Sequence, residues 1–346
     1  MTVNAAQVAL SYLSDRRRND LRKGSADKMG ISEILSSRSG RMHAVPVLGA
    51  SVMMHLALAV AASPALGISA RPNLAEARSW GYQLQMVDPD LVADSPYDLM
   101  VIDYARDGSA EQAFSRSDVM AMKRRPDGGS RIVLAYLSIG EAEDYRFYWN
   151  RNWQASAPSW LGKENPDWPG NYAVRYWDTA WQDVILGGPE AYLDRIIAAG
   201  FDGVYLDRID AFDIADPTLS RARRMQVMVE FVSTIAAYAR SAQPGFIVVG
   251  QNAEELLNYP DYAAAIDGVG KEDLFFGLDG DGTLNSKGEL RASLTPLQRF
   301  LASGKPVFLI EYLDTAEAMA LAHKNAEALG VPLFIGSREL DDVRSR

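Results

Sequence analysis

The chain has no cysteine and only three histidines among 346 residues. The first absence excludes disulfides and thiolate metal sites. Two of the histidines, His43 and His55, precede residue 70 and leave His323 alone in the remainder. A histidine-built zinc centre is therefore excluded. No GxGxxG follows the first apolar strand, so nothing supports a dinucleotide site. Residues 71–346 contain no low-complexity linker and no shift in composition, which makes them one domain. A barrel of about 250 residues fits that length.

The N-terminal seventy residues differ from the rest. Residues 1–41 are polar and basic, with Arg16, Arg17, Arg18, Arg22 and Lys23. Residues 44–62 are apolar except for Ser51 and His55, and SPALGISARP follows. That order is the order of a secretory signal. Met29 or Met42 can serve as the true start, and cleavage is expected after Ala65 or Ala70. An uncleaved N-terminal anchor is the alternative, because about 19 apolar residues approach a bilayer span. The expected product is periplasmic or secreted, with no stable membrane span after cleavage. Residues 1–70 hold 8 of the 35 basic residues and 4 of the 45 acidic ones. The remainder thus carries 27 basic and 41 acidic residues, net −14. Such a domain is a poor nucleic-acid binder. It attracts cationic ligands, although an acidic surface by itself reads as solubility.

What is present is a series of eight short apolar runs that end on, or just before, acids or amides. The pattern predicts strands in WGYQLQMV (80–87), LMVIDYA (99–105), RIVLAYLSIG (131–140), YAVRYWD (172–178), DGVYLD (202–207), FIVVGQN (246–252), AIDGVGKED (265–273) and PVFLIEY (306–312). Helices are expected over 181–200, ending at Gly200, and over 218–241, 294–304 and 316–330. One further strand is expected in 331–340. Alternating helices and Val/Ile/Leu-rich strands argue for a parallel sheet. Eight such units favour a closed (β/α)8 TIM-like barrel with an irregular, Trp-rich insertion at 144–173 after the third strand. A stretch of that length inside a compact domain is usually functional.

In such a barrel the C-terminal strand ends share one face, where the active site lies. Glycoside hydrolysis needs two carboxyl groups across the scissile bond, one of them kept protonated by its pocket. Asp207 follows apolar residues at a strand end and points into the mouth, unless Arg208 takes it as a structural partner. Asp210 lies in the loop above. Glu272 ends the seventh run beside Lys271 and Asp273, so a solvated ion pair is its rival role. Asp103 ends the second run. Glu141 and Glu143 fall on opposite sides of an extended segment, so one faces the site. Glu254 and Glu255 open a helix and can simply favour its N-terminus. Asn252 can hold a sugar hydroxyl. Glu311 can orient a substrate amine or hydroxyl, or pair with an arginine.

Six of the seven tryptophans fall between residues 149 and 181. Flat rings stack on sugars and attract cationic ones. Most of these rings are expected to pack the insertion onto the barrel, with one or two touching ligand. Trp177 is taken as a substrate contact, together with Tyr145 and Arg146 of EAEDYRFYW. DGDGTLN (279–285) lacks the spacing and terminal Glu of a calcium loop and reads as a turn. No metal ligand is assigned.

These motifs resemble the endo-α-1,4-polygalactosaminidases (glycoside hydrolase family 114) and their bacterial and archaeal relatives. The matching segments are WGYQLQ, LMVIDYARDG, VLAYLSIGEAEDYRFYW, WLGKENPDWPGNYAVRYWD, GFDGVYLDRIDAF, VGQNAEEL and GVGKEDLFFG, in order over residues 80–315. The resemblance implies a TIM-like barrel that cleaves α-1,4-linked galactosamine polymers internally, without a cofactor. It also implies Asp207 as nucleophile and Glu272 as acid/base of a retaining mechanism. Fungal members read PDN-x-D where this chain has Leu206-Asp207-Arg208-Ile209-Asp210. The implied partner is a polysaccharide of cationic amino sugars. A catalytically idle barrel that binds such a polymer during export or biofilm assembly is the alternative.

Overall fold

The computed structural model describes residues 73–344. The expected signal or anchor, and the boundary at residue 70, lie outside the described residues. Among the described residues no helix is long and apolar enough to cross a membrane.

Eight parallel strands run in sheet order β1 to β8. They are β1 Trp80–Gln83, β2 Leu99–Ile102, β3 Ile132–Ser138, β4 Gly203–Asp207, β5 Ile247–Gln251, β6 Gly268–Glu272, β7 Val307–Glu311 and β8 Leu333–Ile335. Ladders join each strand to the next. The barrel is nearly closed: just past β1, the N–H groups of Leu84 and Gln85 both donate to the carbonyl of Leu340. The intervening helices are α1 Pro89–Asp94, α2 Arg116–Met122, α3 Thr179–Ile185, α4 Tyr192–Ala199, α5 Arg221–Ala242, α6 Pro260–Ala265, α7 Lys287–Ala302 and α8 Ala316–Leu329.

The period-2 alternation of each strand divides it between two environments. One side chain set fills the barrel: Trp80, Tyr82, Leu99, Val101, Ile132, Leu134, Tyr136, Tyr205, Val249, Phe308, Ile310, Tyr312 and Phe334 form one buried cluster. The other set meets the helices, which is why the strands are apolar on both faces. Trp80 donates its indole N–H to Leu309 O at 2.9 Å, which satisfies the polar atom of the largest interior ring.

Two expectations are corrected here. The run 172–178 is not a barrel strand. Asn171–Val174 pairs antiparallel with Glu141–Glu143 and Leu161–Glu164 in a separate three-stranded sheet. Its partly exposed residues and Arg175 suit such a sheet, whereas barrel strands are buried on both faces. The eighth strand is instead Leu333–Ile335, the "further" strand, hydrogen-bonded in register to β7. The runs at 202–207, 246–252, 265–273 and 306–312 thus supply β4 to β7. The helix expected over 181–200 is two helices, because Gly187-Gly188-Pro189 breaks it. Gly200 ends α4 in the left-handed conformation (φ 88°), as a C-terminal glycine should.

The insertion does follow β3, and its tryptophans are mostly structural. Trp149, Trp153, Trp160 and Trp181 touch in sequence with ring centroids 4.9–5.1 Å apart. Trp181, fully buried, donates to Ile139 O at 2.9 Å and ties that chain of rings to the end of β3. Trp168 is half exposed. Gly280–Leu284, within the DGDGTLN segment, is the second strand of a hairpin with Phe276–Gly277.

Candidate active site

Asp207 and Glu272 occupy the last positions of β4 and β6, with β5 between them. In each of these three strands the next residue adopts a left-handed backbone without being glycine: Arg208 (φ 56°), Asn252 (φ 54°) and Asp273 (φ 52°). Such conformations are disfavoured for L side chains and gather at functional sites. Here they turn the chain at the mouth, where the Asn252 and Asp273 amides still bond the neighbouring strands at Gly270 O and Ile310 O. The Arg208 N–H donates to Asp207 Oδ1 at 2.6 Å. Gly140 in SIGEAE is required by the same turn, since a Cβ there would lie 2.1 Å from Arg208 O.

Asp207 Oδ2 accepts from the Tyr136 hydroxyl at 2.7 Å. Burial raises the Asp207 carboxyl to about 7; the negative charge of Glu272 adds to this, and the Tyr136 hydrogen bond opposes it. Asp207 therefore holds its proton in a substantial fraction of molecules near neutrality.

Glu272 is fixed by three donors. The Tyr312 hydroxyl bonds Oε1, and Gln251 Nε2 bonds Oε2. Asn252 Nδ2 reaches Oε2 at 3.1 Å, while its Oδ1 accepts from the Glu272 N–H at 3.0 Å. Asn252 thus grips both ends of Glu272, a different task from the sugar contact expected of it. Gln251 is itself held, since Tyr82 donates to its Oε1 at 3.1 Å.

The other sequence candidates divide into groups. Asp103, Glu143 and Arg146 form a buried ion cluster: Arg146 lies 2.7 Å from Asp103 and 2.7 Å from Glu143. Burial lifts the Asp103 carboxyl against the pull of Arg146. The half-exposed Tyr145 donates to Glu143 Oε1 at 2.5 Å. The Arg146 guanidinium lies 5.9 Å from the Tyr136 ring centre, so the cluster backs onto the tyrosine that serves Asp207. Glu141 sits on the other flank. It pairs with Arg208 at 3.0 Å and accepts from Asn165 at 2.9 Å. Burial raises its carboxyl, opposed by Arg208. Asp210 meets the same Arg208 at 3.5 Å. Glu141 and Glu143 are both buried, yet each has its own arginine, which fits their opposite orientations.

Three further candidates have partners other than Asp207 and Glu272. Glu254 pairs with Lys271 at 3.1 Å, and Lys271 in turn reaches Asn252 Oδ1 at 3.4 Å. Lys271 therefore belongs to Glu254 rather than to its neighbour Glu272. Glu311 is fully buried and accepts from the N–H groups of Phe275 and Phe276 at 2.8 and 3.3 Å. It holds the loop after β6 instead of orienting substrate, because outward alternation from β7 carries it under that loop. Trp177 meets Tyr176 edge-on with ring centroids 5.0 Å apart, and the Tyr176 hydroxyl donates to Arg224 O of α5.

Tyr136, Tyr312 and Gln251 were not picked out from the sequence, and Arg208 was named only as a structural partner of Asp207, whereas its guanidinium pairs with Glu141 and Asp210. A period-2 count along each strand is the signal that finds the first three, since each faces the same interior as a carboxylate or lies beside one. Among the described residues no group of three or more His, Asp or Glu is arranged to hold a metal ion.

A family model of the glycoside hydrolases, GH114, matches residues 61–346. The chain belongs to glycoside-hydrolase family GH114. An uncharacterized protein of Deinococcus radiodurans is 40% identical over 280 residues, 80% of this chain and 85% of that one. An uncharacterized protein of Methanocaldococcus jannaschii is 39% identical over 241 residues, 68% of this chain and 66% of that one. Among solved structures, Aspergillus fumigatus Ega3 in complex with galactosamine superposes with a TM-score of 0.57 at 20% identity, covering 82% of this GH114 chain and all of that one. The glycoside hydrolase domain of PelA from Pseudomonas aeruginosa gives 0.58 at 19% identity, covering 77% and 97%. At these identities the likeness is one of fold: the GH114 chain is a (β/α)8 barrel of the same kind.

Proposed function

We propose that this GH114 protein cleaves α-1,4-linked galactosamine polysaccharide internally, with Asp207 and Glu272 as its two catalytic carboxyl groups. The observation that carries the reading is this pair: two acids at the ends of strands β4 and β6 of one barrel mouth, close enough for the charge of one to raise the other. Asp103, Glu141 and Glu143 at the same mouth are, by contrast, each paired with an arginine.

The roles follow the resemblance to the family. The pair shares one proton, and the reacting form carries it on Glu272: ionised Asp207 attacks the anomeric carbon while Glu272 gives that proton to the departing glycosidic oxygen. A glycosyl ester forms and the bond to the leaving chain breaks. Glu272 then takes a proton from water, whose oxygen displaces Asp207 and restores both groups. Tyr136 and the Arg208 amide hold Asp207 in line, and Tyr312, Gln251 and Asn252 hold Glu272. An ammonium group on the sugar favours the ionised form of Asp207, so a cationic substrate assists its own nucleophile. The galactosamine bound by Ega3 and the net −14 of residues 71–346 support an amino sugar substrate. We further propose that residues 44–62 direct export to the periplasm or beyond.

Mass spectrometry of products from partly deacetylated α-1,4-polygalactosamine tests the reading. A ladder of oligosaccharides supports internal cleavage. Polymer that is retained but never shortened would leave a polysaccharide-binding barrel in its place.

A further inference from the structure

Resting on the reading of Glu272 as a catalytic acid, we infer that Arg338 is a positioning residue for Glu272, acting through Tyr312 and Asp273. Arg338 belongs to the segment after β8, sixty-six positions beyond Glu272 in the chain. Its guanidinium contacts three separate parts of the mouth. It forks onto Asp273, the residue after Glu272, at 3.1 and 3.2 Å. It reaches Asp281 of the hairpin at 2.6 Å. It lies 4.5 Å from the ring centre of Tyr312, whose hydroxyl bonds Glu272 Oε1.

The two routes converge on one side chain. Asp273 has a left-handed backbone, and the bidentate arginine holds its side chain in place. That fixes the backbone direction in which Glu272 leaves β6. The stacked guanidinium fixes the Tyr312 ring and so the position of its hydroxyl. Gly277 is shaped by the same contact: a Cβ there would lie 2.4 Å from Asp273 Oδ1 and 3.1 Å from the Arg338 guanidinium. Lysine cannot replace this residue, since it cannot fork onto a carboxylate and lie flat on a ring at once.

The test is a double-mutant cycle on the full-length protein, with Arg338→Gln, Tyr312→Phe and the pair. Arg338→Gln is expected to lower kcat about 10- to 100-fold, the loss that a small misplacement produces, with KM within about twofold. Because one of the two routes from Arg338 passes through the Tyr312 hydroxyl, the double variant should lose clearly less than the product of the two single losses. Amide exchange at Asp273 should quicken in Arg338→Gln, whatever the activity. Unchanged kcat, or a loss confined to KM, or full multiplicative losses in the pair, would overturn the inference. A parent that cleaves no polymer refutes the hydrolase reading instead. In that case the exchange rate at Asp273 still decides whether Arg338 pins this segment.

Discussion

Gly270 sits where any Cβ would lie 1.9 Å from the Tyr205 hydroxyl. Tyr205 is two residues before Asp207 on β4, and Gly270 is two before Glu272 on β6. The strands that carry the two acids therefore lock together one layer beneath them. Gly270→Ala must displace a buried ring whose hydroxyl has no other partner among the described residues. Overpacking of this kind costs about 1–3 kcal/mol. Urea unfolding should show that loss, and activity should fall with it, because the acids move apart. A Gly270→Ala protein of parental stability and rate would mean the ring has somewhere to go.

Asp207 gives the pH dependence its sign. Its folded carboxyl titrates near 7, raised first by burial and then by Glu272, against an ordinary value of about 3.9. As the nucleophile it works ionised, so kcat/KM should rise with pH through about 7 before the acid limb levels. A pH–rate profile that is flat from 5 to 8 contradicts this.

The same shift makes the site a cost to stability. Between about pH 4 and 7 the folded protein binds the Asp207 proton more tightly than the unfolded chain, so stability falls as pH rises through that window. Asp207→Asn removes the term, with a ceiling of about 4 kcal/mol above pH 7. Thermal unfolding should find the variant more stable than the parent at pH 8, with a smaller gain at pH 5. A gain that does not grow with pH would assign the strain to something other than this carboxyl.

Tyr136 works in the other direction, holding the Asp207 carboxyl down. Tyr136→Phe should move the acid limb of kcat/KM to higher pH and lower the rate at pH 6 by roughly tenfold, the worth of one hydrogen bond to a charged group. Rate profiles of parent and variant side by side decide it. A variant with a lower rate but an unmoved limb would limit Tyr136 to packing.

Glu311 illustrates how far the sequence carried and where it stopped. Its place at the end of an apolar run marked it as a mouth residue, just as it marked Asp207 and Glu272. The run showed that a strand ended there, and the family motifs located the two acids. What one run could not show is which side of the strand an end residue takes. Asp207 and Glu272 continue the inward set of Tyr205 and Gly270; Glu311 continues the outward set and ends under the 273–277 loop. The exchange of 172–178 for 333–335 as a barrel strand has the same source. Both are short and aromatic or apolar, and only pairing partners, which are contacts distant in sequence, tell an antiparallel edge from a parallel barrel strand. Arg338 was invisible for that reason too, since nothing local in GSRELDD links it to Tyr312.

Glu311 also carries a prediction. Burial raises its carboxyl to about 8, although two backbone N–H groups bond it. It is then mostly protonated at pH 7, and stability should decline as pH climbs from about 4.5 to 8. Glu311→Gln keeps an acceptor for one of the two N–H groups and should cost less than Glu311→Ala at pH 6. Glu311→Ala strands both amides and should lose about 2–3 kcal/mol. Equal losses in the two variants, measured by chemical denaturation, would show that shape rather than the acceptor matters here.

The most direct test of the central claim is reducing-end release from partly deacetylated α-1,4-polygalactosamine by the protein, beside Asp207→Asn and Glu272→Gln with their folds checked by circular dichroism. Release by the parent, lowered at least about a thousandfold in both variants, is the predicted result. Release that survives either substitution in a folded variant would contradict the assignment of this pair.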